Sequence, residues 1–409
     1  MPLPARNTIA IVGAGPIGLE AALAALDAGL DAHVFERGDV GAHALAWGHV
    51  RMFTPWRMNV GAATRRHLEA SAWTAPDPDA CPTGAEFVQQ VLAPAAQLAE
   101  LAGRIHTHAQ VVHMSRSGLL KSDAPGEAIR AEHPFRLLVR DVGGRENFLH
   151  AFALLDVSGV YGQPNWAGDG GIPARSELYL APQLSYHVDD VLGIQRERYA
   201  GKRVMVIGAG ASAATTLGDL ARLAGEAAGT EVVWVTRREA ASLYAGPSDD
   251  PLPERRALYA RARAIAGGGQ ATLSHVGGAR VDGFEFNSAT HRFRVGLKVG
   301  DQARVEEVDR VIVNTGFGPD DSLYRELQVQ ESFVTRGPAG VAAAVAGSSD
   351  CLSAPAAGLG PLANPEPNFY VLGHKSYGRN PHFLLETGYR QVAEVIAALA
   401  AGLRSGAPA

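Results

Sequence analysis

The chain has 409 residues, enough for two or three domains, and 46% of them are hydrophobic. Its 37 basic and 42 acidic residues give a net charge of −5, so no basic excess points to nucleic acid. Two distant cysteines, Cys81 and Cys351, form neither a disulfide framework nor a CxxC pair. The sequence shows no signal pattern, and no apolar run approaches the ~18 residues of a membrane span. We therefore expect a cytoplasmic protein without a nucleic-acid or membrane partner, and the composition sets no oligomeric state.

The stretch Thr8–Arg37 has the order strand, glycine turn, helix, strand, acid. An apolar run, Ile9–Val12, leads into GAGPIG (13–18), and a second strand, Ala32–Phe35, ends at Glu36. In this motif the first glycine permits a tight turn, the second lets backbone approach a pyrophosphate, and the third lets the helix pack on the strand. A terminal acid accepts hydrogen bonds from ribose hydroxyls and disfavours a 2′-phosphate. The pattern predicts a site for NAD or the adenosine half of FAD; the alternative is a βαβ unit without a ligand.

The segment Gly38–Ala80 shows no regular spacing of its hydrophobic residues. Ala46–Asn59 is rich in aromatic and basic side chains, which is typical either of a loop that covers a cofactor or of an aromatic surface loop. A capping box, TGAE, predicts a helix over Thr83–Leu101, and Val111–Met114 is a predicted strand. The histidines of HTHAQVVH (106–113) match no closed ligand set, so we predict no metal site.

Two apolar runs, Phe135–Val139 and Phe148–Val157, predict a β-hairpin. The second run continues into DVSG (156–159), whose small residues let backbone approach a ligand. The proline and glycine residues of 164–173 then indicate a domain boundary.

Residues 202–238 repeat the order of the first motif. A strand leads into GAGASA (208–213), a predicted helix covers Ala213–Leu223, and the next strand ends in Thr-Arg-Arg instead of Phe-Glu-Arg. Arg237 and Arg238 stand where a guanidinium group can pair with a 2′-phosphate. The pattern predicts NADPH as the ligand; the alternative is that both arginines are solvated surface charges.

The rest of the chain supplies further strands. Val281–Phe286 and His291–Val299 predict a hairpin. Asp309–Val313 predicts a buried strand that is followed by small residues, just as the run Phe148–Val157 continues into DVSG (156–159). Two such strand ends are expected where one domain is inserted into another. Phe369–Leu372 predicts the last strand, and a helix is expected from about Pro381 to the end. The positive end of that helix can stabilise negative charge on a bound cofactor.

These motifs together resemble the two-dinucleotide-domain flavoproteins. This superfamily is also called glutathione-reductase-like, or pyridine nucleotide-disulfide oxidoreductase, and the resemblance is in particular to its flavin-containing monooxygenase branch. The resemblance covers nearly the whole chain. GAGASA (208–213) is similar to the GxGxSA/G form of the monooxygenases, and DRVIVNTGF (309–317) resembles their D-x-x-x-[LF]-ATG-Y stretch. The redox-active cysteine pair of the disulfide reductases is missing. The late Gly-Asp pair of the superfamily is replaced by Gly373-His374.

The resemblance implies an α/β fold with two Rossmann-like, three-layer dinucleotide-binding domains, the NADPH domain being inserted into the FAD domain. The FAD domain would comprise 1–165 and 308–405, with 40–105 covering cofactor or substrate, and the NADPH domain 166–307. FAD would be held by Gly13, Gly15, Gly18, Glu36 and the backbone of Val111, and NADPH by Gly208, Gly210, Ser212, Arg237 and Arg238. Further implied cofactor-binding positions are Pro16, Ile17, Arg37, Trp47, Ser158, Gly159, Ala213, Thr315, Gly316, Gly373 and His374.

The implied activity is that of an FAD-dependent, NADPH-using oxidoreductase, a monooxygenase that oxygenates a small molecule with molecular oxygen through a C4a-peroxyflavin. Candidate hydrogen-bond donors near the flavin are His49, Arg51, Lys375 and His382, although each is equally expected to be a loop residue bonded to backbone carbonyls. The alternatives are an NADPH-dependent flavoprotein reductase or dehydrogenase with a non-oxygen acceptor, a thiol–disulfide enzyme that uses a single cysteine, and a flavin-binding redox sensor without turnover.

Overall fold

The computed structural model describes residues 4–244, 250–268, 271–347, 350, 352 and 358–405, so Cys351 lies outside the described residues. The chain divides into two compact units. Unit 1 comprises Met1–Gly48, Pro55–Gln163 and Gly318–Ala409, and unit 2 comprises His49–Thr54 and Pro164–Phe317. Unit 2 therefore interrupts unit 1 along the chain. Within the described ranges, no helix combines the length and apolar character needed to cross a bilayer.

The strands are β1 Thr8–Val12, β2 Asp31–Phe35, β3 Ile105–His106, β4 Gln110–Arg116, β5 Phe135–Arg140, β6 Glu146–Ala151, β7 Ala153–Asp156, β8 Arg203–Ile207, β9 Glu231–Val235, β10 Leu273–Val276, β11 Ala279–Asn287, β12 Arg292–Val299, β13 Gln302–Val308, β14 Arg310–Val313 and β15 Phe369–Val371. The α-helices are α1 Pro16–Asp27, α2 Ala42–Ala46, α3 Trp56–Asn59, α4 Ala62–Glu69, α5 Gly84–Phe87, α6 Ala93–Ala96, α7 Glu177–Leu180, α8 Arg196–Tyr199, α9 Ala211–Glu226, α10 Pro253–Ala266, α11 Ala339–Ala344, α12 Leu359–Leu362, α13 His374–Tyr377 and α14 Leu385–Ser405.

Unit 1 is built on a five-stranded parallel sheet in the order β15-β7-β1-β2-β3. The central strands β1 and β7 are buried along almost their whole length, as expected for a parallel sheet that is covered on both faces. Val12 of β1 and Leu154 of β7 share a hydrophobic core with Phe135 and Leu137 of the antiparallel sheet β4-β5-β6. The carboxyl ends of β1, β7 and β15 meet at one edge, which is where ligands bind in such sheets.

Unit 2 repeats this architecture with a four-stranded parallel sheet, β10-β9-β8-β14, and an antiparallel sheet, β11-β12-β13. Side chains of β8 alternate between two cores, because successive residues of a strand point to opposite faces. Met205 and Ile207 pack in the core that includes the antiparallel sheet. Val204 and Val206 pack in the core that includes α9. The predicted α/β class with two three-layer units, one inserted into the other, is confirmed.

The predicted strand Phe148–Val157 is wrong as a single strand. The run is divided at Phe152 into β6, which belongs to the antiparallel sheet, and β7, which lies at the centre of the parallel sheet. The apolar pattern continues across the division because both strands are part of one core.

The helix predicted over Thr83–Leu101 is helical from Gly84 to Ala96, but it is irregular within and ends before Leu101. Its capping box is present: the Thr83 hydroxyl accepts from the Glu86 N–H, and the Glu86 carboxylate accepts from the Thr83 N–H. After α5, however, Val88–Leu92 forms a π-helical turn, and α6 follows with Pro94 in its first turn. Proline has no N–H, so the regular hydrogen-bond ladder cannot continue through this residue.

The strand at Asp309–Val313 was expected to return the chain to the first domain, with a boundary at 308. The structure contradicts this expectation, since β14 pairs in parallel with β8 of unit 2 and Val313 accompanies Ile207 in register. Unit 2 therefore continues to Phe317, and unit 1 resumes at Gly318. The other boundary lies between Gln163 and Pro164.

The last helix begins at Leu385 rather than near Pro381, and the short helix α13 precedes it directly after β15. One strand of unit 2, β13, follows the predicted hairpin and was not predicted, because its residues are mostly exposed and lack an apolar alternation.

Candidate functional site

The first glycine loop lies at the carboxyl edge of the sheet of unit 1, between β1 and α1. Gly13 has a φ of +111°, and a Cβ placed there would lie 2.9 Å from the Val157 carbonyl oxygen. A Cβ on Gly18 would lie 1.9 Å from the Gly13 carbonyl oxygen. The packing of the protein itself therefore requires these two glycines. Gly15 differs: its backbone is extended, and a Cβ there would meet no protein atom within 4 Å. Its small size leaves open space in front of α1.

The N-terminus of α1 opens onto this space. Gly15 is its N-cap, no side chain caps the helix, Pro16 stands in the first turn, and that turn contains no acidic residue. The first N–H groups of a helix have no intrahelical partner and carry a partial positive charge. The arrangement is suited to a phosphate group.

Glu36 is held beside the same loop. One carboxylate oxygen accepts from the Ala14 N–H at 2.9 Å and the other from the Gly38 N–H at 2.8 Å. The side chain is half-buried. The neighbouring Arg37 is exposed, with its Nη2 3.4 Å from the Nε2 of His43. The carboxylate is thus fixed at the end of β2, where an acid was predicted to face a ribose.

Two predicted cofactor positions serve packing within unit 1. Trp47 is half-buried, and its ring lies where a Cβ on Gly84 would be 2.6 Å away. Val111 is buried and pairs with Val139 in the β4–β5 ladder, next to an irregularity at His113. The contact of the Val111 backbone with adenine stays a prediction.

Lys375 and Asp156 form a fully buried ion pair at the carboxyl end of β7. The Lys375 Nζ donates to Asp156 Oδ2 at 2.6 Å and to the Ser158 hydroxyl at 3.0 Å, and it lies 5.2 Å from the centre of the Tyr324 ring. The Ser158 hydroxyl donates to the other Asp156 oxygen at 2.7 Å. The backbone after Ser158 turns at Gly159, which has a φ of +72°. Lys375, a candidate donor to the flavin, is thus already engaged inside the framework of the sheet edge.

His374, which stands where the resemblance predicts an acid, is the first residue of α13. Its ring stacks on Phe383, with centroids 5.3 Å apart and planes 12° from parallel. Burial lowers the pKa of His374 to about 4, so the ring is neutral at neutral pH. The preceding Gly373 has a φ of +69°, and both it and Gly388 of α14 pack against Ile17 of α1. The loop after β15 and the start of α14 therefore lie beside the first glycine loop. His382 is half-buried on the segment between α13 and α14.

Unit 2 contains a second glycine loop of the same design. Gly208 has a φ of +138°, and a Cβ there would lie 2.1 Å from the Asn314 carbonyl oxygen. A Cβ on Gly210 would meet nothing within 4 Å. Gly210 is the N-cap of α9, which has neither a side-chain cap nor an acidic residue in its first turn. In that first turn Ser212 is half-buried and Ala213 is buried.

Arg237 and Arg238 follow β9 on the turn beside this loop, and both are exposed. Neither takes part in an ion pair with any residue in the described parts of the chain. Tyr244 lies close to both the glycine loop and the arginine turn. Its hydroxyl donates to the Gly210 carbonyl at 3.2 Å. Burial raises the pKa of Tyr244, and the positive charge of nearby Arg238 opposes this rise. The two guanidinium groups are available to an anion at this turn.

The remaining candidates of unit 2 do not join this loop directly. Thr315 follows β14, and its hydroxyl donates to the Asn165 carbonyl at 2.6 Å; Gly316 has a φ of +86°. His49 and Arg51 belong to the short segment of unit 2 at 49–54, whereas Lys375 and His382 belong to unit 1. The Nε2 of His49 is buried and makes no hydrogen bond to any described residue. The four candidate donors therefore form no cluster within one unit.

The histidines near β3 and β4 pack without a ligand set. His106 stacks on Phe35 at 4.9 Å, and its Nε2 lies 3.3 Å from the Nδ1 of His33. His108 lies 3.2 Å from a carboxylate oxygen of Asp39. Within the described ranges, no group of three or more His, Cys, Asp or Glu residues could hold a metal ion.

Sequence reasoning missed two side-chain networks. One is the pairing of Asp156 with Lys375 across 219 positions, for which the only signal was two charges beside small residues at strand ends. The other joins Thr236, at the end of β9, to His275 of β10. Thr236 and His275 are 39 positions apart in the sequence, so no local pattern indicates their pairing.

No protein-family model matches the chain, and no curated protein matches its sequence. Solved structures match over almost the full length. The bacillithiol disulfide reductase from Bacillus cereus is 18% identical with a TM-score of 0.68, covering 96% of this chain and 98% of that one. The cadaverine monooxygenase from Erwinia amylovora, bound to FAD, is 15% identical with a TM-score of 0.63 over 98% and 95%. The ornithine N-hydroxylase from Kutzneria sp. 744, with reduced FAD, NADP+ and L-ornithine, is 16% identical with a TM-score of 0.63 over 98% and 100%.

The fold is that of the two-dinucleotide-domain flavoproteins. The resemblance predicted from the glycine motifs is confirmed at this level. Reductases and monooxygenases both occur among the similar structures, so the likeness favours neither branch.

Proposed function

We propose that the chain is an FAD- and NADPH-dependent oxidoreductase, with FAD bound at the first glycine loop and NADPH at the second. The observation that carries the proposal is the contrast among the glycines. Gly13, Gly18 and Gly208 are required by neighbouring backbone, whereas Gly15 and Gly210 face open space at uncapped helix starts. The protein's own packing gives no reason for a glycine at these two positions, and close approach of a pyrophosphate does.

The two loops differ at the next strand end, and this difference supports different cofactors. Glu36 presents a fixed carboxylate, which suits the ribose hydroxyls of FAD and repels a 2′-phosphate. Arg237 and Arg238 present two exposed guanidinium groups, which pair well with a 2′-phosphate. The residues present thus fit FAD in unit 1 and NADPH in unit 2.

When bound, the flavin supplies the redox chemistry, and the protein supplies binding and orientation. Gly373 and the first turn of α14 lie beside the first glycine loop, so the positive end of the α14 dipole is close to that loop. His374 is neutral near neutral pH and adds no negative charge in place of the superfamily's acid. The buried Lys375–Asp156 pair keeps the Ser158 loop in place at the end of β7.

Within this class we propose a monooxygenase that acts on a small molecule with molecular oxygen. The sequence offers no cysteine pair for dithiol–disulfide exchange, which disfavours the reductase branch. Cys81 is half-buried on the segment between α4 and α5. A second candidate is an NADPH-dependent reductase with another electron acceptor, because a disulfide reductase also occurs among the structures of the same fold.

The first test uses three alanine variants at glycines where a Cβ meets no protein atom within 4 Å. Gly15→Ala should keep the fold and lose bound FAD. Gly210→Ala should retain FAD and lose reduction by NADPH. Gly218→Ala, in the middle of α9, is the matched control and should leave both unchanged. FAD content is measured from the absorbance of the purified protein and reduction from anaerobic bleaching of the flavin band. A colourless wild-type protein that takes up no FAD would refute the proposal.

The second test separates the two candidate activities. The flavin is reduced with NADPH and mixed with oxygen in a stopped-flow spectrometer. A transient absorbance that precedes the return of oxidised flavin is expected for a monooxygenase. Direct reoxidation with immediate release of hydrogen peroxide, or no reaction with oxygen, would instead favour the reductase.

A further inference from the structure

Thr236 and His275 form a hydrogen-bonded pair beneath the arginine turn of unit 2. Thr236 is 2% exposed and directly follows β9. Its hydroxyl lies 2.6 Å from the Arg238 carbonyl oxygen and 2.8 Å from the Nε2 of His275. A carbonyl can only accept, so the single hydroxyl proton is donated to Arg238. The hydroxyl therefore accepts from His275, whose Nε2 must carry the proton.

His275 is itself fixed between neighbouring groups. Its ring centroid lies 4.6 Å from that of Trp234, and the Trp234 indole N–H donates to the Gly208 carbonyl at 2.7 Å. Burial lowers the pKa of His275, which keeps the ring neutral at neutral pH. A continuous series of contacts thus runs from Gly208 in the second glycine loop through Trp234, His275 and Thr236 to the Arg238 backbone.

This series holds the backbone of the turn but leaves the arginine side chains exposed. The Thr236 N–H and C=O are also fixed, to the Val276 carbonyl and the Ala279 N–H. The turn that carries Arg237 and Arg238 therefore has its backbone set relative to the glycine loop before any ligand binds. Preorganised charged donors cost less ordering on binding than mobile ones.

We propose that Thr236 and His275 are positioning residues for cofactor specificity: they hold the arginine turn at the distance from the glycine loop that an adenosine 2′-phosphate requires. The assignment rests on the proposed use of NADPH. Neither residue needs to touch the cofactor. Loss of either residue should therefore weaken the binding of NADP+, which carries the 2′-phosphate. It should leave the affinity for NAD+, which lacks that phosphate, nearly unchanged.

The test is titration of NADP+ and NAD+ into the oxidised, FAD-loaded protein, which avoids turnover, with flavin or tryptophan fluorescence as the readout. Thr236→Val should weaken NADP+ binding by ~2–10-fold, the usual effect of losing one hydrogen bond, and leave NAD+ binding within about twofold. His275→Phe should act in the same direction. His275→Gln keeps an N–H donor and should recover most of the wild-type ratio. Arg238→Ala gives the reference loss.

Thr230 provides a matched control at the opposite end of β9. It is 1% exposed, and its hydroxyl accepts from the Gly201 N–H at 2.8 Å, far from the arginine turn along the strand. Thr230→Val should lower thermal stability about as much as Thr236→Val and leave the NADP+ to NAD+ affinity ratio unchanged.

The outcomes separate this assignment from the function on which it rests. A wild-type protein that prefers NADP+, combined with an unchanged ratio in Thr236→Val and His275→Phe, overturns the positioning role alone. An equal change of ratio in Thr230→Val also overturns it, because the effect would then be one of general destabilisation. A wild-type protein that binds NAD+ as well as NADP+ contradicts the proposed use of NADPH and with it the assignment.

Discussion

The buried ion pair between Lys375 and Asp156 allows a quantitative prediction. Both side chains are fully buried, and the Nζ to Oδ2 distance is 2.6 Å. Lys375→Met would keep most of the side-chain volume but leave the Asp156 carboxylate buried with Ser158 as its remaining partner. Removing one member of a buried pair costs ~3–5 kcal/mol, mainly because the other charge remains desolvated.

The structure also predicts how this loss can be recovered. In the double variant Asp156→Asn/Lys375→Met no charge remains, and the side-chain amide introduced in place of the carboxylate can still accept from the Ser158 N–H through its carbonyl oxygen. We therefore expect the double variant to be more stable than Lys375→Met alone. Arg390→Ala serves as the control, because its pair with Glu386 is exposed on α14, where such pairs contribute at most about 1 kcal/mol.

The assay is thermal unfolding of the full chain followed by circular dichroism. In a unit of this size each kcal/mol shifts Tm by about 2–4 °C, so a cost of ~3–5 kcal/mol in Lys375→Met should lower Tm by roughly 6–20 °C. Arg390→Ala should lower Tm by less than about 4 °C. A Lys375→Met protein with wild-type Tm, or a double variant less stable than the single one, would refute the reasoning that the unpaired carboxylate carries the cost.

Three further predictions concern other groups of unit 1. Glu366 accepts from the buried Arg116 and Arg130 at 2.7 Å each, so Glu366→Gln should lower the free energy of unfolding by ~3–5 kcal/mol, measured by urea denaturation; a change below about 1 kcal/mol would contradict this. The His374 ring protonates near pH 6.5 when unfolded and only near 4 when folded, so the folded state loses stability as the pH falls through this window and not above it. Because the side chain is only half-buried by its solvent accessibility, the loss should be about 2 kcal/mol. His374→Phe keeps the stacking on Phe383 and should remove this loss when denaturation curves at pH 7 and about 4.5 are compared. Equal pH dependence in both proteins would exclude His374 as the cause. Thr83→Ala removes the capping box before α5 and should cost ~1 kcal/mol by the same assay, whereas no loss would mean that tertiary packing alone sets the helix start.

The two Rossmann-like units could be predicted from the sequence because their signals are local. A buried strand, a glycine turn and a helix follow one another within about thirty residues, and Gly13, Gly18 and Gly208 each answer to a steric demand from neighbouring backbone. The contrast between Glu36 and the Arg237–Arg238 pair is also a local feature, one residue type at one strand end. The capping box at Thr83 was confirmed for the same reason, since both of its hydrogen bonds lie within four residues.

The structure alone decided which sheet each later strand joins. The run at 148–157 is equally apolar in β6 and β7, and its division depends on partners far along the chain. Asp309–Val313 was assigned to the wrong unit because burial marks a strand without naming its neighbour, which is β8. Parallel pairing joins segments of distant sequence position, so an apolar pattern alone cannot specify it.

The sequence by itself determined the fold class, the two glycine loops and the charge at the strand end that follows each loop. The tertiary structure decided the partners of the polar residues outside these motifs: Lys375 pairs with Asp156 from 219 positions away, and His275 on β10 hydrogen-bonds to Thr236 at the end of the neighbouring strand β9. The physical reason is range. Backbone conformation and helix capping are set by neighbours in sequence, whereas the protonation, burial and partner of a side chain are set by whichever groups the completed fold brings within hydrogen-bonding distance.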